Sequence, residues 1–545
     1  MGVFYIFTEA VFQDITLIHK IYNLMEVIFY IEVKMKYNIL FGGKAGQGAN
    51  ILTHILAESL AESGYYVFYY RDYQSLIRGG HGFNVLTFSD KPVHSHESKY
   101  DVIVALDNTT VEKHKSGLKK DGVLIEGKFP NMYYAGRMYK ALGLPFSMLD
   151  KRLKGLKRYN ENLKDAKKGY EEQSDALHVP KVKKAKRTFS SGSIAVSEGA
   201  VKSGLDRYFA YPMTPSTAVL GELAQRQETC GHLVLELENE VAVANAGAGS
   251  AITGAKTMVG TSGGGFCLMT EALSMCGIAE IPLVFYLAQR AGPASGVATY
   301  NAQGDLHMAR HSGHGEFPRL VLAPGDPVEA QEITSQIFYL TQKFGVPGIL
   351  ISDKHLAESF YTTEHTPKIL KSKHMTHFGR YNSYEKDPRT GSGTEEAEII
   401  KRNVEARKKK WESMKKECEK FEGYKIYGKK NSKNCIVFWG STKGAIIDSI
   451  DGLDVCALQI LYVEPFPKKV QKILQGKKKI IAVENNATGQ LCDVIREHTG
   501  ILVEDRILRY DARPFLSDEL REILLAKFPA GKQVKRFANK IGGKK

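Results

Sequence analysis

Short apolar runs of strand length alternate with stretches of helical periodicity three times along this 545-residue chain, and that alternation restricts its fold more than any other feature. The first series reads YNILFGG (37–43), then KAGQGANILTHILAESLAESG with apolar positions at helical spacing, then YYVFYY and DVIVALD. A second begins near 191, with HLVLELENE, TMVGTSGGG, IPLVFYLAQ, PRLVLAPG and GVPGILISD as strands. A third carries NCIVFWGS, VCALQIL, KKIIAVENN and GILVED. Strands alternating with helices build parallel, doubly wound sheets, and one core does not grow to this length. The expectation is three α/β units with mainly parallel sheets.

The expected boundaries are an N-terminal extension over 1–34, a first unit over 35–177, a linker over 178–190, a second unit over 191–369, a charged linker over 370–430 and a third unit over 431–540. Residues 1–34 are aromatic and apolar, but Glu9, Asp14, Lys20, Glu26 and Glu32 interrupt them too often for a membrane span. They carry no signal-peptide pattern, and Met35 opens MKYNILFGG, which reads as a domain start. The formal charge of +15 sits largely in runs such as KVKKAKR (181–187) and EARKKKWESMKK (405–416), mixed with polar and acidic residues. Such runs read as solvated linkers or helix faces, and no nucleic-acid module accompanies them. A basic surface suits anionic small molecules or an acidic protein partner equally well. The seven cysteines are scattered with no C-x-x-C, so the chain shows neither an iron–sulfur nor a zinc motif, and a cytoplasmic setting is expected.

Several motifs carry candidate chemistry. GGKAGQG (42–48) joins a strand to a helix, where backbone N–H groups favour an anion. It lacks G-x-G-x-x-G spacing, because Lys44 and Ile51 stand where small residues are needed, and it lacks the Walker ending. Its alternative is a tight structural turn. TSGGGF (261–266) is a second such turn. In ELENEVAVANAGAGSAITGAK, Glu236 and Glu238 alternate on a strand, and Glu240 opens a segment of small residues that lets a backbone or a flat cofactor come close. Its carboxylate is either an acid/base group or an ordinary cap. In FAYPMTPSTAVL (209–220), two prolines stiffen Tyr211 to Pro215 and hold Thr214, with a helix starting at Pro215 or at the Ser216–Thr217 pair. His307, His311 and His314 lack H-E-x-x-H spacing and a further ligand, so no metal site is expected.

Taken in order, GGKAGQGANILTHILAE, DYQSLIRGGHGFNV, YPMTPST, ENEVAVANAGAGSAITGAKTMVGTSGGGFCLMTEAL, AQRAGPASG, QGDLHMARHSGHGEFPRLVLAPGD and VENNATGQL resemble the fused gamma–alpha subunit of two-subunit 2-oxoacid:ferredoxin oxidoreductases, over most of residues 35–540. The resemblance implies a gamma-type domain, a domain like the pyrimidine-binding domain of thiamine diphosphate enzymes and a domain like the transketolase C-terminal domain. It implies oxidative decarboxylation of a 2-oxoacid with coenzyme A, electrons passing to ferredoxin. Glu240 would share a proton with N1′ of the thiamine aminopyrimidine, an acid/base role. Thr214 would donate a hydrogen bond to the 2-oxoacid or the incoming thiol partner, held by Tyr211, Pro212 and Pro215. Arg290 would bind the substrate carboxylate. Lys44, Gly46, Gln47, Gly48 and Arg78 would face coenzyme A or the substrate entrance.

Two positions depart from the family pattern. Met213 replaces a β-branched residue at similar volume, and Gly264 replaces a frequent proline and loosens its turn. The chain has no G-D-G…N motif and no cluster cysteines. The resemblance therefore places Mg2+, the diphosphate half of the thiamine site and the [4Fe-4S] cluster on a partner beta subunit, with no nucleic acid and no membrane involved. The competing readings are an aryl- or branched-chain-2-oxoacid enzyme of the same superfamily, or a scaffold that lost catalysis; retention of Thr214, Glu240 and Arg290 argues against the scaffold.

Overall fold

The computed structural model describes residues 36–74, 79–174, 177, 179–375 and 382–528; the expected extension over 1–34 lies outside them. Three sheets organise these residues. The first has seven strands in the spatial order Leu118–Ile125, Tyr100–Ala105, Lys36–Lys44, His81–Ser89, Tyr66–Asp72, Phe360–Thr363 and Thr188–Ser191. Only its first three strands run parallel; every later pairing is antiparallel. Here the expectation of a mainly parallel sheet is corrected. The cause is the strand His81–Ser89, which the sequence reading did not separate. It follows Tyr66–Asp72 across residues 73–80, a connection too short for a parallel crossover.

The last two strands of this sheet come from far along the chain. Thr188–Ser191 lies at the end of the lysine-rich linker, and Phe360–Thr363 lies after the second run of strands. They pair with each other from Thr188↔Thr363 to Ser191↔Phe360, and Phe360 pairs with Tyr69. The first sheet thus takes one strand from the stretch drawn as a linker over 178–190 and another from within the unit drawn over 191–369.

The second sheet is ordered Tyr462–Glu464, Leu320–Leu322, Gly348–Asp353, Val284–Gln289, Thr257–Thr261, Arg207–Ala210 and Leu233–Glu236. All its pairs are parallel except the first. Val284–Gln289 is buried along its whole length, which explains why its sequence is continuously apolar rather than alternating. The third sheet, ordered Tyr424–Gly428, Cys456–Ile460, Asn434–Trp439, Lys479–Glu484 and Asp505–Leu508, is parallel but for its first pair. Phe285 and Ile351 of the second sheet share one apolar core with Trp439 and Leu458 of the third.

The charged stretch 370–430 contains the 22-residue helix Ala397–Cys418. Its periodicity is faint because it buries only Ile399, Met414, Glu417 and Cys418, and Met414 and Cys418 reach the core of the second sheet. Among the described residues, no helix is long and apolar enough to cross a membrane.

Candidate active site

Four adjacent parallel strands of the second sheet, Leu233–Glu236, Arg207–Ala210, Thr257–Thr261 and Val284–Gln289, end along one edge. The segments that leave their carboxyl ends are the ones singled out from the sequence: Glu240, Tyr211–Pro215, Ser262–Gly265 and Arg290. In open α/β sheets this edge is where ligands bind. The topology therefore gathers residues spread over 80 positions of sequence that no local pattern joins.

Glu240 is the first residue of the helix Glu240–Ile252, but Asn239 is its cap, accepting from the Ala242 N–H at 2.9 Å. The capping alternative for the Glu240 side chain is thereby removed. Glu240 is only 4% exposed, and among the described residues its Oε1 has no hydrogen-bond partner. A buried carboxylate oxygen without a donor is costly to folding unless something else completes it. The helix Gly263–Ala279 approaches so closely that a Cβ at Gly265 would stand 2.6 Å from Glu240 Oε1 and 2.1 Å from Thr261 Oγ1. Only glycine fits there. Gly264, the departure from the family pattern, lies in the first turn of the same helix, where a Cβ would meet only the Ala294 carbonyl at 3.9 Å.

Arg290 follows the strand Val284–Gln289. Its Nη1 donates to the Thr214 carbonyl at 3.0 Å, and its Nε is buried without a partner among the described residues. Burial holds the guanidinium below its ordinary pKa, against the attraction of Asp305 and Glu240. The segment Tyr211–Pro215 is non-helical as expected, with a cis Thr214–Pro215 bond, and the helix Thr217–Cys230 follows it. Ser216 Oγ donates to the Met213 carbonyl at 2.9 Å, and Met213 Sδ lies 3.9 Å from Thr261 Oγ1. Tyr211 and Pro212 are exposed at this edge, whereas Pro215 is buried.

One residue of this site escaped the sequence reading. Asp305 stands before the helix Leu306–His311, with its backbone N–H donating to Gln289 Oε1 at 2.9 Å. Its carboxylate abuts Gly263, where a Cβ would meet Oδ2 at 2.6 Å. Burial pushes its pKa up to about 6, with Arg290 opposing. The guanidinium of Arg290 is thus drawn by two carboxylates and fully paired with neither. His307 is bound to Asp493 at 3.1 Å, away from these groups, and among the described residues no cluster of three or more His, Cys, Asp and Glu could hold a metal.

The glycine-rich loop forms a separate grouping on the first sheet. Gly46 and Gly48 both have φ of 89°, a backbone that only glycine takes without strain, and Gly48 caps the helix Ala49–Ser63. Lys44, Gly46 and Gly48 line a cavity of 410 Å³ with Arg71, Tyr73 and Gln74. Arg71 Nε is buried without a partner among the described residues. Gln47 does not line this cavity, because its Oε1 accepts the Lys44 N–H at 2.7 Å and closes the turn. Arg78 lies outside the described residues. The two groupings are tied through Thr299, whose hydroxyl donates to the Tyr73 carbonyl at 2.7 Å.

Comparison with known proteins bears on both groupings. Residues 198–424 match the family described as pyruvate flavodoxin/ferredoxin oxidoreductase, thiamine diphosphate-binding, and residues 38–127 match pyruvate ferredoxin/flavodoxin oxidoreductase. The chain is 28% identical to a 2-oxoacid:ferredoxin oxidoreductase subunit alpha of Sulfolobus sp, covering 90% of this chain and 97% of that one. It is 35% identical to the 2-oxoglutarate synthase subunit KorA of Archaeoglobus fulgidus over 31% of this chain and 49% of the other. Its fold is that of the 2-oxoglutarate:ferredoxin oxidoreductase from Magnetococcus marinus, solved with 2-oxoglutarate, coenzyme A and succinyl-CoA bound, at a TM-score of 0.83 and 23% identity over 91% of this chain and 100% of that one.

Proposed function

We propose that the chain, similar over 90% of its length to a 2-oxoacid:ferredoxin oxidoreductase subunit alpha, is the gamma–alpha subunit of an enzyme that oxidatively decarboxylates a 2-oxoacid with coenzyme A and passes the electrons to ferredoxin. The observation that carries this reading is the unsatisfied Glu240 carboxylate at the carboxyl edge of the second sheet. The residues present fit thiamine diphosphate: among the described residues Glu240 Oε1, Ser262 Oγ and Arg290 Nε are all buried without a partner, and Gly265 keeps the space against Glu240 clear. When bound, thiamine diphosphate supplies a carbon nucleophile and a sink for the electrons that decarboxylation leaves behind.

The chain's own residues then divide the work. Glu240 would face the aminopyrimidine and share a proton with it through Oε1, an acid/base role in surroundings that exclude water. Arg290 binds the substrate carboxylate through the edge of the guanidinium not spent on the Thr214 carbonyl. Thr214 is fixed by that same bond, so its hydroxyl meets the substrate in one position. Lys44, Gly46, Gly48 and Arg71 take the phosphates of coenzyme A at the glycine-rich loop, with Gln47 holding the loop closed.

A partner completes the site. Tyr211, Leu233, Leu235, Val241 and Leu268 are large apolar side chains left exposed around Glu240, and Leu233 and Leu235 lie on an edge strand. Such a patch marks a protein interface. The beta subunit that covers it would bring the diphosphate and Mg2+ contacts and a [4Fe-4S] cluster, in the cytoplasm. Anaerobic reduction of ferredoxin by the chain co-expressed with that subunit tests the reading. Coenzyme A-dependent reduction with pyruvate, 2-oxoglutarate or a branched-chain acid is expected. No reduction with any of them, in a complex shown to hold thiamine diphosphate and intact clusters, overturns it.

A further inference from the structure

A cavity of 650 Å³ lies apart from both groupings, with none of their residues in its lining. The end of the helix Leu306–His311, the loop through Phe317 and Arg319, the end of the helix Ala397–Cys418, the segment Glu464–Lys468 and the end of the helix Gln490–Thr499 enclose it. Its two buried arginines differ. Arg310 is matched, its Nη2 donating to Glu497 Oε1 at 2.7 Å and lying 3.4 Å from Glu464 Oε2. Arg319 is only 7% exposed and donates through Nη1 to the Ser312 carbonyl, yet no carboxylate stands within 4 Å of it among the described residues. Burial pulls its pKa down to about 10, with Glu464 opposing and Arg310 adding to the fall.

A buried guanidinium with no carboxylate in ion-pair contact has capacity for a further anion, with Glu316, Glu464 and Glu497 also in the lining to limit its charge. Its underside is occupied by the Phe317 ring, 4.2 Å from Cζ to the centroid, so the in-plane edge is what it offers, the geometry that grips an oxyanion with two parallel hydrogen bonds. Lys415 and Lys468 line the same cavity. Flat surfaces complete it: Trp411, and Phe466 with His498 stacked on it at 4.9 Å. The volume is that of a site for a small organic ligand.

We propose that this cavity binds a ring-bearing oxyanion of nucleotide size, its anionic group held by Arg319 with Lys415 and Lys468 and its ring against Trp411 and Phe466. The inference does not depend on the thiamine reading. The full chain would be titrated by calorimetry with AMP and, separately, with benzoate, while quenching of Trp411 is followed by fluorescence. One ligand per chain with quenching is expected, weakened about tenfold or more in Arg319→Gln and a few-fold in Lys415→Gln. Lys415 is half-exposed, so that variant keeps the test alive if Arg319→Gln does not fold. Preference for AMP assigns a phosphate ligand and preference for benzoate a carboxylate. Failure of both to bind up to about 10 mM, or binding unchanged in the folded variants, overturns the proposal.

Discussion

Two buried charge clusters in this molecule have opposite characters. At the junction of the second and third sheets, Lys443 Nζ contacts Asp326 and stands 2.6 Å from Glu329 Oε1. Glu329 Oε2 accepts from Gln459 at 2.7 Å and from the Gly325 N–H at 2.8 Å, and Lys425 adds a contact at 3.2 Å. Every charge there is answered. Around Glu240 and Arg290 the reverse holds: Glu240 Oε1, Ser262 Oγ and Arg290 Nε are buried with no partner among the described residues. The first cluster joins two parts of the fold, and the second leaves its groups open to a ligand. Satisfaction of hydrogen bonds, more than burial or charge, separates a structural network from a working site.

The contrast predicts that mutations at the two clusters act on different quantities. Glu240→Gln should lower kcat by about 10²–10⁴ while leaving the melting temperature unchanged or raised, since it removes an unpaired buried charge. Lys443→Met should do the opposite, destabilising by about 3–5 kcal/mol in denaturant melts because two carboxylates lose their counter-charge, with activity per folded molecule retained. Loss of stability at Glu240, or loss of turnover at Lys443, would erase the distinction.

Asp305→Asn sharpens it. A carboxyl whose pKa rises to about 6 on folding contributes stability below its unfolded value near 4, and that contribution is lost as pH rises through about 6. The variant should therefore match the parent at pH 4 and exceed it by up to about 3 kcal/mol at pH 7. A constant difference across that window would show that Asp305 is paired by something else. Asp326 has the opposite sign: Lys443 draws its pKa down against burial, so its share of stability is present at neutral pH and lost in acid. The smallest effect is expected at Gly265→Ala, about 1–3 kcal/mol from the collision with Thr261 and Glu240, accompanied by reduced activity.

The sequence made Glu240, Thr214 and Arg290 legible because each lies in a short motif whose residue types are unusual together. It did not make Asp305 legible. An aspartate before a six-residue helix reads as a cap, and its meeting with Gly263 and Arg290 exists only in the tertiary structure. Gln47 was legible as a loop residue but not as the side chain that closes the loop. The strands of the second and third sheets were readable as apolar runs, yet Thr188–Ser191 and Phe360–Thr363 were not assigned to the first sheet, since pairing between edges so distant in sequence leaves no local pattern. The helix Ala397–Cys418 hid for a related reason: with few buried positions, its apolar stripe falls below what periodicity detects.

The account's central claim is that the open carboxylate of Glu240 is held ready to move a proton for bound thiamine diphosphate. Exchange of the cofactor's C2 proton for deuterium, followed by acid quench and NMR on the complex with its partner subunit, tests this most directly. The account predicts that Glu240→Gln still binds the cofactor but exchanges it slower by about 10² or more. Exchange at the parent rate in that variant would contradict it.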